Sequence, residues 1–391
     1  MQPLIDKMSQ IWASAYSNGA KIEWVGMPGA SLPQVAERLQ TMIAGGDPPD
    51  LVSLEAGQTL DFSSKGAFLP LDPLIKRDHY DLSDFFPTGV KQYIWKGVTY
   101  TLPRGMSNQL IYVNVPKFKE AGLDLPPADV NASTWTWSAF AELAQKLTKR
   151  DSSGRVTQYG FMLRTGQLRG GIGQWIWANG SEFFNKDYTQ CTLDDKAAAA
   201  IQFMQDLIYK YKVSPAPAEG NGITFDDEFL TGRVAMIIDP AANVQAFRKA
   251  KFDWDFAANP RGDGPPVTTG GGQGLSIVKT TKQPDTTWDV LKYAVSSDSL
   301  KLMATSWYPA RKSALEYLSS LDPQLPPHRR KVAEQGQEII HPDPGTPLWL
   351  QLDQQIIEKE LSLVWLNKES GANAIKNIVP KVNDFLQKNK S

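Results

Sequence analysis

The first 75 residues alternate between helical and strand-like apolar patterns, and this alternation constrains the fold more than any other feature. The chain opens directly in a helical pattern. A second helical pattern begins at Ser31-Leu-Pro and stops at Gly45-Gly46, because glycine readily adopts the left-handed conformation that ends helices. Residues 21–26 and 51–54 are short apolar runs typical of strands. Helices and strands that alternate in this way predict an α/β sheet.

The pattern continues through a chain of 391 residues, which is too long for one ordinary core. A domain usually takes about 100–200 residues, so we expect two or three domains. Thr136 and Asp194 are predicted to cap the N-termini of two helices. Asp226 is predicted to cap a short helix that ends at Gly232, and Pro284 to begin another helix.

The charge balance excludes some classes of function. Lys and Arg together number 41 and Asp and Glu 42, whereas a nucleic-acid binder or a polybasic membrane-surface protein would carry a basic excess. The single cysteine permits neither an internal disulfide nor a thiolate zinc cluster. The chain is rich in aromatic residues (12 Trp, 12 Tyr, 16 Phe), which form cores and also line pockets for amphipathic ligands.

Motifs that would indicate catalysis are incomplete. The three histidines form no metal-binding spacing, and Gly105-Met-Ser107 begins a nucleophile elbow without its final glycine. The glycine-rich segment 270–274 lacks the Lys-Ser/Thr of a phosphate loop. Asp194-Asp195 and Asp226-Asp227 could supply the two carboxylates of a glycosidase, but both pairs stand at predicted helix starts, where Asp caps backbone N–H groups. We therefore predict no catalytic residue, no metal and no cofactor.

Several segments, in a fixed order, resemble family 1 extracellular solute-binding proteins, the sugar-binding subunits of ABC importers. The resemblance runs from about residue 35 to residue 315. It is carried by the segments Ala44-Gly-Gly-Asp-Pro-Pro-Asp50, Gly66-Ala-Phe-Leu-Pro-Leu-Asp72, Gly97-Val-Thr-Tyr-Thr-Leu-Pro103, Leu110-Ile-Tyr-Val-Asn114, Phe118-Lys-Glu-Ala-Gly-Leu-Asp124, Trp177-Ala-Asn-Gly180, Phe229-Leu-Thr-Gly-Arg-Val-Ala-Met236 and Pro309-Ala-Arg-Lys-Ser313. Each match is weak alone, and the ordered set is specific.

Two features depart from the family pattern. The strand that normally precedes the first helix is missing, as is the signal peptide, often followed by a lipid-anchored cysteine. We therefore expect that a segment preceding Met1 is absent from the sequence. The family's Gly-x-Trp after the Val-Ala-Met strand is replaced by Pro240-Ala-Ala-Asn243, so a common sugar-stacking tryptophan is lost.

The resemblance implies a type II periplasmic-binding-protein-like fold with two hinged α/β lobes. We expect residues 1–107 and 260–303 in lobe 1, and residues 113–256 and 309–391 in lobe 2, with crossings near 107–113, 256–260 and 303–309. The implied function is capture of a sugar or oligosaccharide between the lobes and delivery to the membrane permease. The implied protein is a monomer in the periplasm or lipid-anchored at the outer face of the cell membrane.

The candidate ligand-binding residues follow predicted strand ends, where open α/β sheets bind ligands. Because sugars present polar edges and apolar faces, the set combines planar polar groups with aromatic rings. It comprises Glu55, Gln58, Ser107, Asn108, Arg169, Trp175, Trp177, Asp239, Asn243, Gly271, Gly272, Trp307, Tyr308 and Arg311. The segment Trp307-Tyr308-Pro-Ala-Arg311 resembles a Trp-Tyr-x-x-Arg segment of maltodextrin-binding proteins that stacks on and bonds to sugar.

Structural roles remain open for most of these residues. Trp175 and Trp177 could belong to the core, and Arg311 could bond backbone at the third crossing. Two other functions also remain open. One is the same binding fold with a non-sugar ligand, such as glycerol phosphate, a polyamine or a metal complex. The other is a carbohydrate-active enzyme, which would need a convergent acid/base pair.

Overall fold

A computed structural model describes residues 2–15, 19–26, 32–166, 168–217, 225–304, 308–315 and 323–389. The strands in these ranges are β1 Leu51–Glu55, β2 Ile94–Trp95, β3 Val98–Thr99, β4 Thr101–Pro103, β5 Ser107–Asn114, β6 Lys149–Arg150, β7 Val156–Gln158, β8 Met236–Pro240, β9 Trp254–Ala257, β10 Thr268–Gly271, β11 Gln273–Ile277 and β12 Ile340–His341.

The α-helices in the same ranges are α1 Gln2–Ala15, α2 Leu32–Ala44, α3 Ala56–Ser64, α4 Asp72–Arg77, α5 Pro87–Lys91, α6 Val115–Ala121, α7 Trp137–Leu147, α8 Gly173–Ala178, α9 Asp195–Tyr209, α10 Phe225–Leu230, α11 Val244–Phe247, α12 Pro284–Ala294, α13 Ser297–Met303, α14 Lys331–Glu338, α15 Trp349–Leu352, α16 Glu358–Trp365 and α17 Gly371–Lys388. Two π-helical turns, Leu168–Ile172 and Asp353–Ile357, directly precede α8 and α16.

The chain divides into two compact units. Unit 1 contains Met1–Ser107, Gly271–Leu321 and Gly345–Trp349, and unit 2 contains Asn108–Gly270, Asp322–Pro344 and Leu350–Ser391.

Unit 1 contains a three-stranded sheet in the order β1-β11-β4, in which β11 is antiparallel to both neighbours. Leu54 of β1 is fully buried and packs with Leu39 of α2 and Phe62 of α3. Burying one such side chain contributes about 2 kcal/mol, so the amphipathic helices α2 and α3 are stabilised mainly by covering this sheet.

Unit 2 contains a sheet in the order β12-β10-β5-β8, and β9 also pairs with β5. Strand β5 is buried along nearly its whole length, which its apolar run Leu110-Ile-Tyr-Val requires. The ring of Tyr112 lies 4.6 Å from that of Phe247 and 4.9 Å from that of Phe256, between centroids. Offset aromatic contacts of this kind stabilise the centre of unit 2.

Several predicted elements are confirmed. The side chain of Thr136 accepts a hydrogen bond from the backbone N–H of Ala139, and that of Asp194 accepts from Lys196 and Ala197. The second helix is α2, and α12 begins at Pro284.

Two local predictions are wrong. Residues 21–26 form no strand. Instead, Ile22 packs against a cluster that contains Met8 and Trp12 of α1, and the indole of Trp24 donates to Ser9 Oγ at 2.7 Å. This segment is therefore held by packing on a helix rather than by a sheet. Asp226 does not cap α10 but lies within its first turn.

The unit boundaries differ from the predicted lobe boundaries at three places, one of which is the segment Gly345–Trp349, predicted in lobe 2 and found in unit 1. Residues 260–270 fall in unit 2, where β10 pairs in register with β12. Residues 309–321 fall in unit 1, where Pro309 forms a β-bridge with Gly105 and Arg311 forms one with Phe85. Local pairing, which the order of motifs does not encode, therefore determines which unit holds the latter two segments.

Candidate functional site

One edge of the unit 1 sheet collects polar side chains. In the register of the sheet, Glu55 at the end of β1 pairs with Gln273 at the start of β11, and Pro103 at the end of β4 pairs with Gly274. Because β11 is antiparallel to both neighbours, the strand ends followed by Gln58 and Arg104 meet at the same edge. Open α/β sheets commonly bind their ligands on the segments beyond such strand ends.

Gln273 links two of the polar groups at this edge. Its Oε1 accepts hydrogen bonds from Ser53 Oγ and from Arg104 Nη2, each at 3.1 Å. Burial lowers the pKa of Arg104 to about 10, and the guanidinium still carries its charge at neutral pH. Sequence reasoning missed Arg104, although its position directly after the Thr-Leu-Pro strand was a signal of the same kind as that used for Glu55.

A second polar group lies at the end of β8 in unit 2. Asp239 is fully buried and accepts hydrogen bonds from Arg164 Nη2 at 2.6 Å and from Asn243 Nδ2 at 2.5 Å. Asp226 Oδ1 lies 3.9 Å from the same arginine nitrogen, and the guanidinium lies 4.1 Å from the centroid of the Phe225 ring. We call Arg164, Asp226, Asp239 and Asn243 the Asp239 cluster.

The Asp239 cluster holds two carboxylates and one guanidinium in a partly dehydrated place. Burial, and secondly the nearby carboxylate of Asp226, raise the pKa of Asp239 to about 7, although Arg164 and Asn243 act in the opposite direction. Burial also raises the pKa of Asp226. The cluster can donate hydrogen bonds through Arg164 and accept them through the carboxylates, as recognition of hydroxyl groups requires.

Arg164 is the second functional candidate that sequence reasoning missed. Arg164 directly follows the apolar run Phe161-Met-Leu, and Met162 forms a parallel β-bridge with Ile237 of β8. The chain therefore carries Arg164 alongside Asp239. A charged residue directly after an apolar run was the available signal, but the bridge that brings the two residues together is non-local.

Two predicted site residues, Trp175 and Trp177, have structural contacts in unit 2. Trp175 is 2% exposed and lies among aromatic rings, with centroids 5.6 Å from Phe203 and 5.8 Å from Phe140, so we do not carry it into the proposed ligand site. Trp177 is stacked on the imidazole of His341 at 4.2 Å. That contact occupies one face of the Trp177 ring and removes it from the strongest candidates.

Asn108 is fully buried, and its Nδ2 donates to the carbonyl of Ala333 in α14 at 3.0 Å. The amide nitrogen also lies so close to Gly336 that a Cβ there would stand 2.0 Å from it. Asn108 therefore positions α14, and we withdraw it as a ligand contact. Ser107 before it is partly exposed at the start of β5.

The glycines at 271 and 272 were predicted to bring backbone close to a ligand. A Cβ at Gly272 would stand 1.7 Å from the carbonyl oxygen of Gly105, and Tyr93 OH donates to the Gly272 carbonyl at 3.0 Å. Gly272 therefore packs against backbone of its own unit, and we do not carry it into the proposed ligand site. Gly271 is the last residue of β10.

Arg311 is 9% exposed, and its nitrogen atoms are engaged within unit 1. Nε donates to the Val295 carbonyl at 2.6 Å, Nη2 to Tyr80 OH at 2.6 Å and Nη1 to Asp84 Oδ2 at 3.2 Å. The guanidinium also lies 3.9 Å from the centroid of the Phe85 ring. These contacts give Arg311 a structural role within unit 1, and we do not carry it into the proposed ligand site.

Tyr308 is 8% exposed, and its carbonyl accepts from the Met106 N–H at 2.8 Å. Trp307 and the side chain of Arg169 lie outside the described residues. Among the predicted set, the structure brings Asp239 and Asn243 together and leaves Glu55 and Gln58 on consecutive elements, β1 and α3.

Residues 3–301 match the model of a protein family described as bacterial extracellular solute-binding protein. The chain belongs to this family. The protein BAB2_0491 of Brucella abortus (strain 2308) is 25% identical to this solute-binding protein over 267 residues, which are 67% of this chain and 62% of the relative. The chain thus spans less than two thirds of the length of the first curated relatives it matches.

Solved structures share the fold of this solute-binding protein at low sequence identity. The ABC substrate-binding protein Lmo0181 from Listeria monocytogenes, solved in complex with cycloalternan, aligns with a TM-score of 0.85 and 21% identity over 98% of this chain and 96% of that chain. The sugar-binding protein MalE from Xanthomonas citri aligns with a TM-score of 0.84 and 16% identity over 99% of this chain and 95% of that one. The predicted two-lobed α/β fold class is confirmed.

Two further observations concern the described residues of this solute-binding protein. None of its described helices combines the length and apolar character needed to cross a membrane. Within the same part of the chain, no three or more His, Cys, Asp or Glu side chains are grouped so that they could hold a metal ion.

Proposed function

We propose that this protein captures a sugar or oligosaccharide and delivers it to the membrane permease of an ABC importer. The observation that carries the proposal is that each unit ends a sheet in charged and amide groups. In unit 1 these groups follow β1 and β4, and in unit 2 they follow β8. Family membership supports a bound solute as the partner of these groups.

The chemistry of these groups suits hydroxyl-bearing ligands. Glu55 offers carboxylate oxygens that accept hydrogen bonds. Arg104 and Arg164, the latter held in place by the buried Asp239, offer N–H groups that donate them. A sugar hydroxyl does both, so alternating donors and acceptors fix its orientation. We propose as ligand contacts Glu55, Gln58, Arg104, Ser107, Arg164, Asp239 and Asn243.

An aromatic ring is expected beside these groups, because the C–H faces of a sugar stack on rings. We keep Trp307 as that ring, on the evidence of its place in the Trp-Tyr-x-x-Arg segment. The similarity to a Listeria protein solved with cycloalternan and to a Xanthomonas sugar-binding protein supports a carbohydrate ligand.

We propose that the protein acts by binding alone and works outside the cytoplasm as a monomer, in the periplasm or anchored by lipid at the outer face of the membrane. The family consists of extracellular binding proteins, which supports this placement. Fractionation of native cells with an antibody to this chain would test the location, and light scattering of the purified protein would test the monomer. Recovery in the cytosolic fraction would contradict the proposal.

A thermal-shift screen across mono- and oligosaccharides tests the ligand class. A ligand that binds only the folded protein stabilises it by RT ln(1 + [L]/Kd), which is about 2.7 kcal/mol at a hundredfold excess over Kd. We expect one carbohydrate family to raise the Tm in this way and to be recovered unchanged. Release of a shortened sugar would indicate an enzyme. A shift with glycerol phosphate or a polyamine, and with no carbohydrate, would favour the same fold with another ligand.

A further inference from the structure

A groove on unit 2 uses none of the proposed sugar contacts. It lies between the β6–β7 hairpin, the segment after α9 and the residues around α10, and it has a volume of about 790 Å³. We call it the hairpin groove and define its charged lining as Arg150, Arg155, Lys212, Glu228 and Arg233. Every residue that lines it belongs to unit 2.

The charge of the hairpin groove differs in sign from that of the protein. Its lining carries four cationic side chains and one carboxylate, whereas the whole chain has a net charge of −1. The carboxylate, Glu228, is already engaged by Arg233 Nη1 at 3.1 Å. Asp151, which is not part of the lining, pairs with Arg155 at 3.1 Å, and the Arg155 side chain remains 81% exposed. Even with Asp151 included, the groove keeps an excess of positive charge.

Two of the cations have no carboxylate partner among the described residues. The guanidinium of Arg150 donates to the carbonyls of Gly154 at 3.2 Å and Lys212 at 3.3 Å, so it is held in place without being neutralised. The ammonium group of Lys212 has no partner within the described part of the chain, and its backbone has a φ of 52°. A non-glycine residue in that left-handed region is uncommon.

A simpler interpretation is that the cations balance the negative end of the α9 dipole. That effect fades within the last helical turn, so it accounts for Lys212 alone. Arg150 and Arg155 come from the hairpin, and Arg233 follows α10. Three separate elements therefore place cations around one groove, which helix electrostatics does not explain.

From this arrangement we infer that the hairpin groove binds a small anion that carries two or more negative charges on phosphate or carboxylate groups. Guanidinium groups match these groups with paired N–H donors, and Lys212 adds a point charge. Thr157 and Ser214, also in the lining, offer hydroxyl groups to the same ligand. The site is independent of the proposed sugar site.

Titration calorimetry of the intact protein with pyrophosphate, in a phosphate-free buffer, tests the inference. We expect one saturable site whose affinity falls as the salt concentration rises, because exposed charges are screened. The double variant Arg155→Gln/Lys212→Gln should weaken this binding by about tenfold or more. It keeps Arg150, whose backbone contacts help to hold the hairpin.

The charge-matched control is Lys359→Gln/Lys376→Gln, which removes two exposed lysines of the C-terminal helices of unit 2. It should bind pyrophosphate like the unaltered protein, and both double variants should unfold cooperatively. The inference is overturned by a titration without saturable heat, by equal losses in the two double variants, or by unchanged binding in the groove variant. It is also overturned if Arg164→Gln, rather than the groove variant, abolishes the binding.

Discussion

Arg164 Nη2 is shared between two carboxylates, lying 2.6 Å from Asp239 Oδ1 and 3.9 Å from Asp226 Oδ1. One cation therefore serves two acids, of which Asp239 has no solvent exposure. Burial of Asp239 outweighs its attraction to Arg164 and raises the pKa of Asp239 from its ordinary value of 3.8 to about 7. A carboxyl group of the proposed ligand site is therefore expected to change its protonation state near neutral pH.

Asp239→Asn should change how the free energy of unfolding depends on pH. Because the pKa of Asp239 is raised on folding, the folded protein holds a proton that the unfolded chain has released between pH 3.8 and about 7. The contribution of Asp239 to the free energy of unfolding therefore falls as the pH rises through that window, by at most about 1.4 kcal/mol per pH unit. Urea unfolding of both proteins at several pH values measures the difference.

The asparagine variant cannot ionise, so the stability advantage of the unaltered protein should shrink as the pH increases from about 5 to about 8. Asp384→Asn, which removes an exposed carboxylate in α17, is the matched control and should leave the pH profile nearly unchanged. A pH profile that is the same for Asp239→Asn and the unaltered protein would contradict the assignment.

Gly272→Ala should destabilise the protein by about 3 kcal/mol, the upper part of the range for overpacking a filled site. The added methyl would stand 1.7 Å from the Gly105 carbonyl oxygen, so backbone must move. Gly166→Ala is the control, because a Cβ there meets no atom within 4 Å. Denaturant midpoints of the two variants measure the contrast, and equal midpoints would rule out the close backbone contact.

Arg311→Ala should lower stability by about 3 kcal/mol, since hydrogen bonds of a charged group to Val295, Tyr80 and Asp84 are lost together. Its sugar affinity, measured by calorimetry well below the Tm, should stay within about twofold of the original. Loss of affinity without loss of stability would instead return Arg311 to the ligand site.

Trp307→Ala should abolish most of the thermal shift given by the sugar, while the unliganded variant still melts cooperatively. The physical reason is the loss of a ring on which the apolar face of a sugar stacks. Trp24→Phe, which alters an indole bonded to Ser9 of α1, is the control and should keep the shift. An unimpaired shift in Trp307→Ala would remove this tryptophan from the site.

Sequence patterns predicted the fold class because its signals are local or ordered along the chain. The caps at Thr136 and Asp194 depend on hydrogen bonds within a single helical turn, and both were found. The segment 21–26 has the apolar content of a strand, but its side chains pack on α1. Composition alone does not distinguish these two ways of burying Ile22.

The candidate site was harder to predict because side-chain partners are non-local. Arg311 and Trp175 have the residue types of a sugar site. Arg311, however, bonds to Tyr80, which is 231 positions away in sequence, and Trp175 packs on Phe203 in the aromatic core. Conversely, Arg164 is 75 positions from Asp239 and became a candidate only through the bridge between Met162 and Ile237. The type of a residue indicates what it can bind, whereas the fold decides which partner it meets.

The tight approach of Gly272 to Gly105 bears on any attempt to re-engineer specificity. Gly272 is the immediate neighbour of Gln273, which anchors Arg104 at the unit 1 sheet edge. A saturation library drawn around that edge would include position 272, and most of its members would be lost through misfolding before any change of ligand preference could be scored. Keeping glycine at 272 and varying Glu55, Gln58 and Arg104 would instead direct selection to recognition itself.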